Sequence, residues 1–265
     1  MIAADEWDAE NFASYHFASR ADIDGRVTLL SEVSSRITAG HNWFYLWHLN
    51  HSDDPELRVR VQRSKNPEAM QCLDYDLMTL QAETSHESYQ PETRRLGGIR
   101  GIRFSHQLST ILSMYQSMVL CRSTCDHTFA VRMLMLAVEL SQRLVRRTLM
   151  ETSARACFWE RYADFWSSYR QHHVDEVLPH SVVDRALVVA LSAQQTVLPK
   201  SVLAVLERAP DILVNRGRLE AGKAQPFDAL CYHVHLMHNR MLVDSRLEMR
   251  IAEAALAKEA SGPAT

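Results

Sequence analysis

The texture of this chain changes at Gly97-Gly98, and no other feature constrains its fold as strongly. Before that point, short apolar runs alternate with polar turns. After it, Gly and Pro become sparse and long helical patterns follow, punctuated by Pro179, Pro199 and Pro210. Strands early and helices late predict an α+β chain, with an antiparallel sheet covered by a helix and then a largely helical part packed on it. The expected division is 1–98 for the sheet, 99–258 for the helices and 259–265 for a flexible Ala/Gly/Pro tail.

Within the first part, Asn11 to Ser19 carries spaced aromatics and reads as a strand. Asp22 to Thr38 opens on capping residues and repeats Val27, Leu30, Val33 and Ile37 at helical spacing, before Gly40. Trp43 to Leu49 is aromatic and strand-like. Leu57, Val59 and Val61 alternate with Arg58, Arg60 and Gln62, which is the period-two pattern of a half-buried strand. Two more short strands are expected at Leu73–Leu80 and Thr84–Tyr89. Helices are expected near Ile102–Leu120, His127–Met150, Ala154–His172, Val182–Thr196, Ser201–Glu207 and Phe227–Leu256.

Composition narrows the function classes. The 265 residues are 46% hydrophobic and 23% charged, ordinary for a globular protein with a real core. A formal net charge of −3 gives no push toward nucleic acid or an acidic membrane. Arg far outnumbers Lys, so some guanidinium forks are available for carboxylates or peptide carbonyls. Met1 to Glu10 lacks the basic and apolar regions of a signal peptide, and no apolar run is long enough for a membrane helix. Five Cys at irregular spacing argue against a disulfide scaffold, and the cytoplasm is the expected compartment.

Several clusters carry potential chemistry. Cys121, Cys125 and His127 form C-x3-C-x-H, but no closing ligand is evident, so buried thiols are the better reading and no metal is expected. Dinucleotide, phosphate-loop, hydrolase-elbow and zincin motifs do not occur. Arg58 and Arg60 project from one strand face, roughly 7 Å apart, as a twin anion or carbonyl clamp or as a solvated face. Glu92 and Arg95 lie in Tyr89-Gln-Pro-Glu-Thr-Arg-Arg-Leu-Gly-Gly98, an irregular turn before a helix, as a site pair or a surface ion pair. On the last long helix, Tyr232, His235, Asn239 and Arg246 share one stripe, and Leu230, Val234, Met237 and Met241 the other. A polar stripe is usually the wet face, but this one pairs imidazole with phenol and amide.

Three of these segments together resemble a known family. Trp43-Phe-Tyr-Leu-Trp-His-Leu-Asn and Leu57-Arg-Val-Arg-Val61 resemble the aromatic strand and the "LRLR" strand of the lantibiotic dehydratase C-terminal, or thiopeptide-type bacteriocin biosynthesis, family. The Glu92–Gly98 turn resembles its "PE-x-x-RYGG", and His235-Leu-Met-His-Asn-Arg240 its "HM-x-x-NR" helix. Order and approximate spacing agree from about residue 10 to residue 250. Leu96 stands where the family has Tyr, Leu236 where it has Met, Trp47 where Arg is common, and Glu56 where His is frequent; Leu108-Ser109 replaces an Asp-Ser pair.

The resemblance implies that His235, Glu92 and Arg95 are catalytic, and Tyr232 is expected to join them from the same helix stripe. The resemblance implies substrate-binding roles for Arg58, Arg60, Asn239, Arg240 and Ser109. The activity it implies first is that of a thiopeptide pyridine synthase, a formal aza-Diels–Alder cyclase needing no cofactor and no metal, acting on a leader-bearing precursor peptide that carries two dehydroalanines. Other maturation enzymes of the same pathway are implied partners, and a homodimer is left open. A glutamate-elimination subunit of a split dehydratase is the alternative, and a non-catalytic peptide-binding subunit is a third. Under the first reading, the stripe on the last helix and the strand arginines face one cleft, with Glu92 and Arg95 at its rim.

Overall fold

Alternation decides the first element of structure. Along Pro55–Gln62 every second residue is buried, so Leu57, Val59 and Val61 turn to one face and Glu56, Arg58, Arg60 and Gln62 to the other. In the computed structural model, which describes residues 12–19, 22–37, 41–49, 55–80, 83–84, 95–121, 126–169, 180–192, 198–215 and 226–261, this segment is the strand β3 of a four-stranded sheet. With β1 (Phe12–Ala18), β2 (Trp43–Leu49) and β4 (Glu83–Thr84), the sheet order is β2-β3-β1-β4, antiparallel throughout. Val59 lies opposite Tyr15 on one side and Tyr45 on the other. That register puts Ala13, Tyr15, Phe17, Trp43, Tyr45, Trp47, Leu57, Val59 and Val61 on one buried face.

Helices cover that face. The helix α1 (Ile23–Arg36) is capped by Asp22, whose carboxylate accepts from the Gly25 amide at 2.6 Å. Its buried Val27, Leu30 and Val33 recur at helical spacing, and Arg26 lies 5.6 Å over the Trp47 ring. Of residues 73–80, expected as a strand, 73–78 instead belong to α2 (Pro67–Met78), and 79–80 form the turn after it. The reason is local: Asn66 caps the Glu68 amide at 3.1 Å, Pro67 sits in the first turn, and Met70, Leu73 and Leu77 repeat at the helical period. Asp74 of α2 accepts from the Tyr15 hydroxyl, which ties this helix to the sheet. Of the strand expected at 84–89, only Thr84 lies within the described residues, in β4.

The rest is helical: α3 (Ile99–Cys121), α4 (Asp126–Thr148), α5 (Thr152–Tyr169), α6 (His180–Ser192), α7 (Lys200–Leu206), a π-helical turn at Asp211–Asn215, α8 (Pro226–Arg240) and α9 (Ser245–Ala260). The chain divides into two compact units, Met1–Glu92 with Ser109–Asp126, and Thr93–Leu108 with His127–Thr265, so α3 contributes to both. In the first unit Tyr45 donates to Gln116 of α3 at 3.0 Å. In the second, α5 packs along α9, and Arg155 locks Glu259 at 2.9 Å.

The single helix expected over Phe227–Leu256 is two. Leu242 adopts φ 60°, the left-handed region. Val243 N–H bonds the His238 carbonyl at 3.1 Å and Leu242 N–H the Asn239 carbonyl at 3.3 Å, the paired closure of a Schellman motif. Asp244 then caps α9 by accepting from the Leu247 amide at 2.8 Å. Glycine usually takes the left-handed position; here Leu does, and its side chain is buried. Burial of a Leu is worth about 2–5 kcal/mol against Ala, more than the roughly 1–2 kcal/mol that left-handed backbone costs. Leu242→Gly is therefore expected to destabilise the protein, and Leu242→Ala to destabilise it further by about 1 kcal/mol, because Ala loses the packing and keeps the strain. Urea unfolding checks the order; Ala above Gly would contradict it.

Candidate active site

The turn before α3 is built onto α8. Gly97 and Gly98 have φ of 83° and 88°, conformations that side chains resist. A Cβ at Gly97 would lie 3.4 Å from that of Ala229, and one at Gly101 would collide with the Leu96 carbonyl. That carbonyl meets His233 Nε2 at 3.3 Å, and Phe104 packs edge-on against the His233 ring. The turn therefore delivers Arg95, whose Cζ lies 5.8 Å over the Tyr232 ring. Tyr232 is one turn from His235, with ring centroids 6.3 Å apart. Three of the predicted residues, Arg95, Tyr232 and His235, thus meet in the second unit.

His235 is partly exposed, with 31% of its side chain open to solvent, and has partners that the sequence did not single out. Its Nδ1 lies 2.8 Å from Glu248 Oε1. The Trp166 ring leans on the imidazole at 4.9 Å, and the half-exposed Phe165 packs against Trp166 at 5.0 Å. Glu248 is 1% exposed, and its other oxygen takes the Tyr162 hydroxyl and faces His238 Nδ1 at 3.4 Å. Burial alone pushes the Glu248 carboxyl up, but the His235 charge and hydrogen bond and the His238 contact outweigh it and hold it below the usual value. Burial and the Glu248 charge push the Tyr162 phenol well above its ordinary value. Phe158, Tyr162 and Trp166 recur every four residues along α5, which stacks them on one face toward α8 and α9.

The other predicted residues fall elsewhere. Asn239 is half-buried on α8, one turn beyond His235. Arg246 is on α9, beyond the turn at 241–244 that the single-helix expectation overlooked. Arg240 is 2% exposed, donates to the Leu236 carbonyl at 2.7 Å, and its charge bears on two buried imidazoles. Ser109 is likewise buried, within α3. Glu92 lies outside the described residues, as do Cys125 and the side chains of Cys121 and His127.

Arg58 and Arg60 belong to the first unit, on the same face of β3 as predicted from alternation. Arg58 Nε donates to Glu56 at 2.7 Å, and Glu56 also meets His16 Nδ1 at 3.0 Å. Burial pushes the His16 imidazole down, opposed by Glu56 and reinforced by Arg60 and Arg58. Arg60 reaches the Val59 carbonyl at 3.3 Å. A recess of about 360 Å³ in the second unit, between α4, α6, α7 and α9, contains none of the predicted residues. Its arginines are paired: Arg143 with Glu139 at 2.7 Å, Arg147 with Glu207 at 2.5 Å and Arg146 with Glu259 at 3.4 Å.

Solved structures are similar to this chain. A pyridine synthase from thiomuracin biosynthesis, TbtD, superposes with TM-score 0.52 at 13% identity, over 96% of this chain and 99% of that one. The tRNA-dependent lantibiotic dehydratase MibB from Microbispora sp. 107891 gives 0.45 at 14% identity, over 94% of this chain and 28% of that one. TsrL gives 0.43 at 14% identity, over 94% and 98%. No curated protein matches the sequence. Among the described residues no helix is long and apolar enough to cross a membrane. The family model for the lantibiotic biosynthesis dehydratase C-terminal region matches residues 23–260, and the chain belongs to that family.

Proposed function

We propose that this protein closes the central pyridine macrocycle of a thiopeptide. The observation that carries the reading is the convergence of Arg95, Tyr232 and His235 in a family scaffold similar, over 96% of this chain, to a pyridine synthase. The substrate is a leader-bearing peptide with two dehydroalanines. A base removes the amide proton next to one alkene while its carbonyl oxygen is protonated, giving an iminol and hence a 2-azadiene. The second alkene adds across its two carbon ends, forming two C–C bonds, with the amide nitrogen already between them as the ring nitrogen. Loss of water and then of the leader as a carboxamide leaves the aromatic ring. The protein contributes proximity of two distant residues and placed proton-transfer groups.

His235 serves as the base, since imidazole matches neutral pH. The Tyr232 hydroxyl and the Arg95 guanidinium stabilise the oxygen that gains negative charge. Asn239, on the same helix face, orients the substrate amide, and Arg58 and Arg60 bind a carbonyl or carboxylate of the peptide. Glu92, three residues before Arg95 in the sequence, is proposed as an acid–base partner. Glutamate elimination is the second reading, favoured by the shared face of Arg58 and Arg60.

Incubation of the purified protein with a leader-bearing bis-dehydroalanine peptide, read by mass spectrometry, tests this. A macrocycle plus a leader amide is expected, with turnover unchanged after prolonged chelation. Loss of glutamate from a glutamylated peptide, without cyclisation, would establish the second reading instead. Tight binding with neither conversion would leave a peptide-binding subunit.

A further inference from the structure

Glu248 is buried in the second unit, yet it is a carboxylate and faces proton-bearing groups on every described contact. Tyr162 donates to one oxygen, and His238 Nδ1 faces the same oxygen at 3.4 Å. His235 Nδ1 meets the other at 2.8 Å. An ionised carboxylate has no hydrogen to give, so a contact at that distance requires the hydrogen on His235 Nδ1. Nε2 is then the ring's lone-pair nitrogen. Because the ring is partly open to solvent, a substrate can reach it.

We infer that Glu248 is a positioning residue, which fixes the tautomer and orientation of His235 so that Nε2 stands ready as the base. Three features hold the carboxylate itself in place. Tyr162 is fully buried on α5, in an aromatic stack with Phe158 and Trp166. His238 is 0% exposed, and among the described residues its Nε2 meets no hydrogen-bond partner, so its polar contact is spent on Glu248. The turn at Leu242 and the Asp244 cap set the start of α9 and so the place of Glu248 along it. Trp166 leaning on the imidazole restricts ring rotation. A carboxylate behind Nδ1 is the arrangement that orients histidine bases and ligands generally, and its loss costs on the order of 10- to 100-fold or more.

The functional consequence rests on His235 moving protons in the proposed reaction, but the tautomer does not. The experiment therefore reads both. In protein labelled with ¹⁵N at its histidines, the His235 resonances are identified by their absence in His235→Gln. At a pH where the ring is neutral, wild type is expected to show a protonated Nδ1 and a bare Nε2. A wild-type His235 protonated at Nε2 overturns the inference without any variant. Glu248→Met keeps the length and removes both acceptors; it is expected to lose the exclusive tautomer and to lower kcat 10- to 100-fold with KM within about threefold. If this variant fails to fold, Tyr162→Phe combined with Glu248→Met removes the buried hydroxyl left without an acceptor, and the same readouts apply. An unchanged tautomer, or unchanged kcat in a folded variant that still cyclises peptide, overturns the positioning role. The expected tautomer in a protein that converts no peptide would remove the reaction and leave the positioning geometry standing.

Discussion

His235→Ala is expected to lower turnover on a bis-dehydroalanine peptide by about 10²- to 10⁴-fold, the range typical of a lost acid–base group. The geometry makes the variant informative. The ring is partly exposed, so deleting it opens no deep cavity. Glu248 keeps the Tyr162 hydroxyl and the His238 contact after the deletion. The stability loss is accordingly about 1–3 kcal/mol, that of one missing hydrogen bond to a buried acceptor. Thermal unfolding followed by circular dichroism separates the two effects. A folded His235→Ala protein with full turnover would remove the proton-transfer role. Full loss of structure would instead mean that the Glu248 network is chiefly a fold determinant.

Acid should unfold this protein earlier than its carboxylates alone would dictate. His106 and His233 are both buried, and burial pushes them down to about 3 and about 4, with the nearby Arg240 charge adding to the effect; the Leu96 carbonyl opposes it at His233. Their folded values lie below the unfolded one, near 6.5. Unfolded chains therefore bind more protons than folded ones between those limits. The stability from these two groups is fully present above about pH 6.5 and falls as pH drops toward 4 and then 3. At about 1.4 kcal/mol per unit, the combined loss amounts to several kcal/mol, a large share of the roughly 5–15 kcal/mol that holds a domain folded. Glu248, held below its usual value, adds a further loss at lower pH. Urea unfolding from pH 7.5 to 5 is expected to show a steady decline beginning near 6.5. His233→Gln, which retains a donor for the Leu96 carbonyl, should flatten that slope by about one proton. A profile level down to pH 5 would mean that both rings are solvated.

Periodicity carried the local structure. The alternation of Leu57, Val59 and Val61 with Arg58 and Arg60 fixes β3 and its two faces, since side chains on a strand have only two directions. The same reasoning delivers α1 from Val27, Leu30 and Val33, and the long helices after Gly97-Gly98. Family membership was legible because the aromatic strand, the Arg strand, the double-Gly turn and the His helix keep their order along the chain. Even local signals were missed where an apolar run masked them: Asn66-Pro67 announces α2, and Asp244 announces α9.

What pattern could not supply is the neighbour from another part of the chain. Leu242 gives no sign of a helix end, because burial of its side chain, not its backbone preference, stabilises the left-handed turn. His235 was visible on its stripe, and Tyr232 with it. Glu248 reads in the sequence as one more charged residue on the last helix, yet it is among the most buried side chains of the second unit. Only the packing of α5, α8 and α9 brings Tyr162, His238 and His235 around it. A carboxylate is tolerated inside a protein only when such donors surround it, and here they come from two other helices, Tyr162 from 86 residues away.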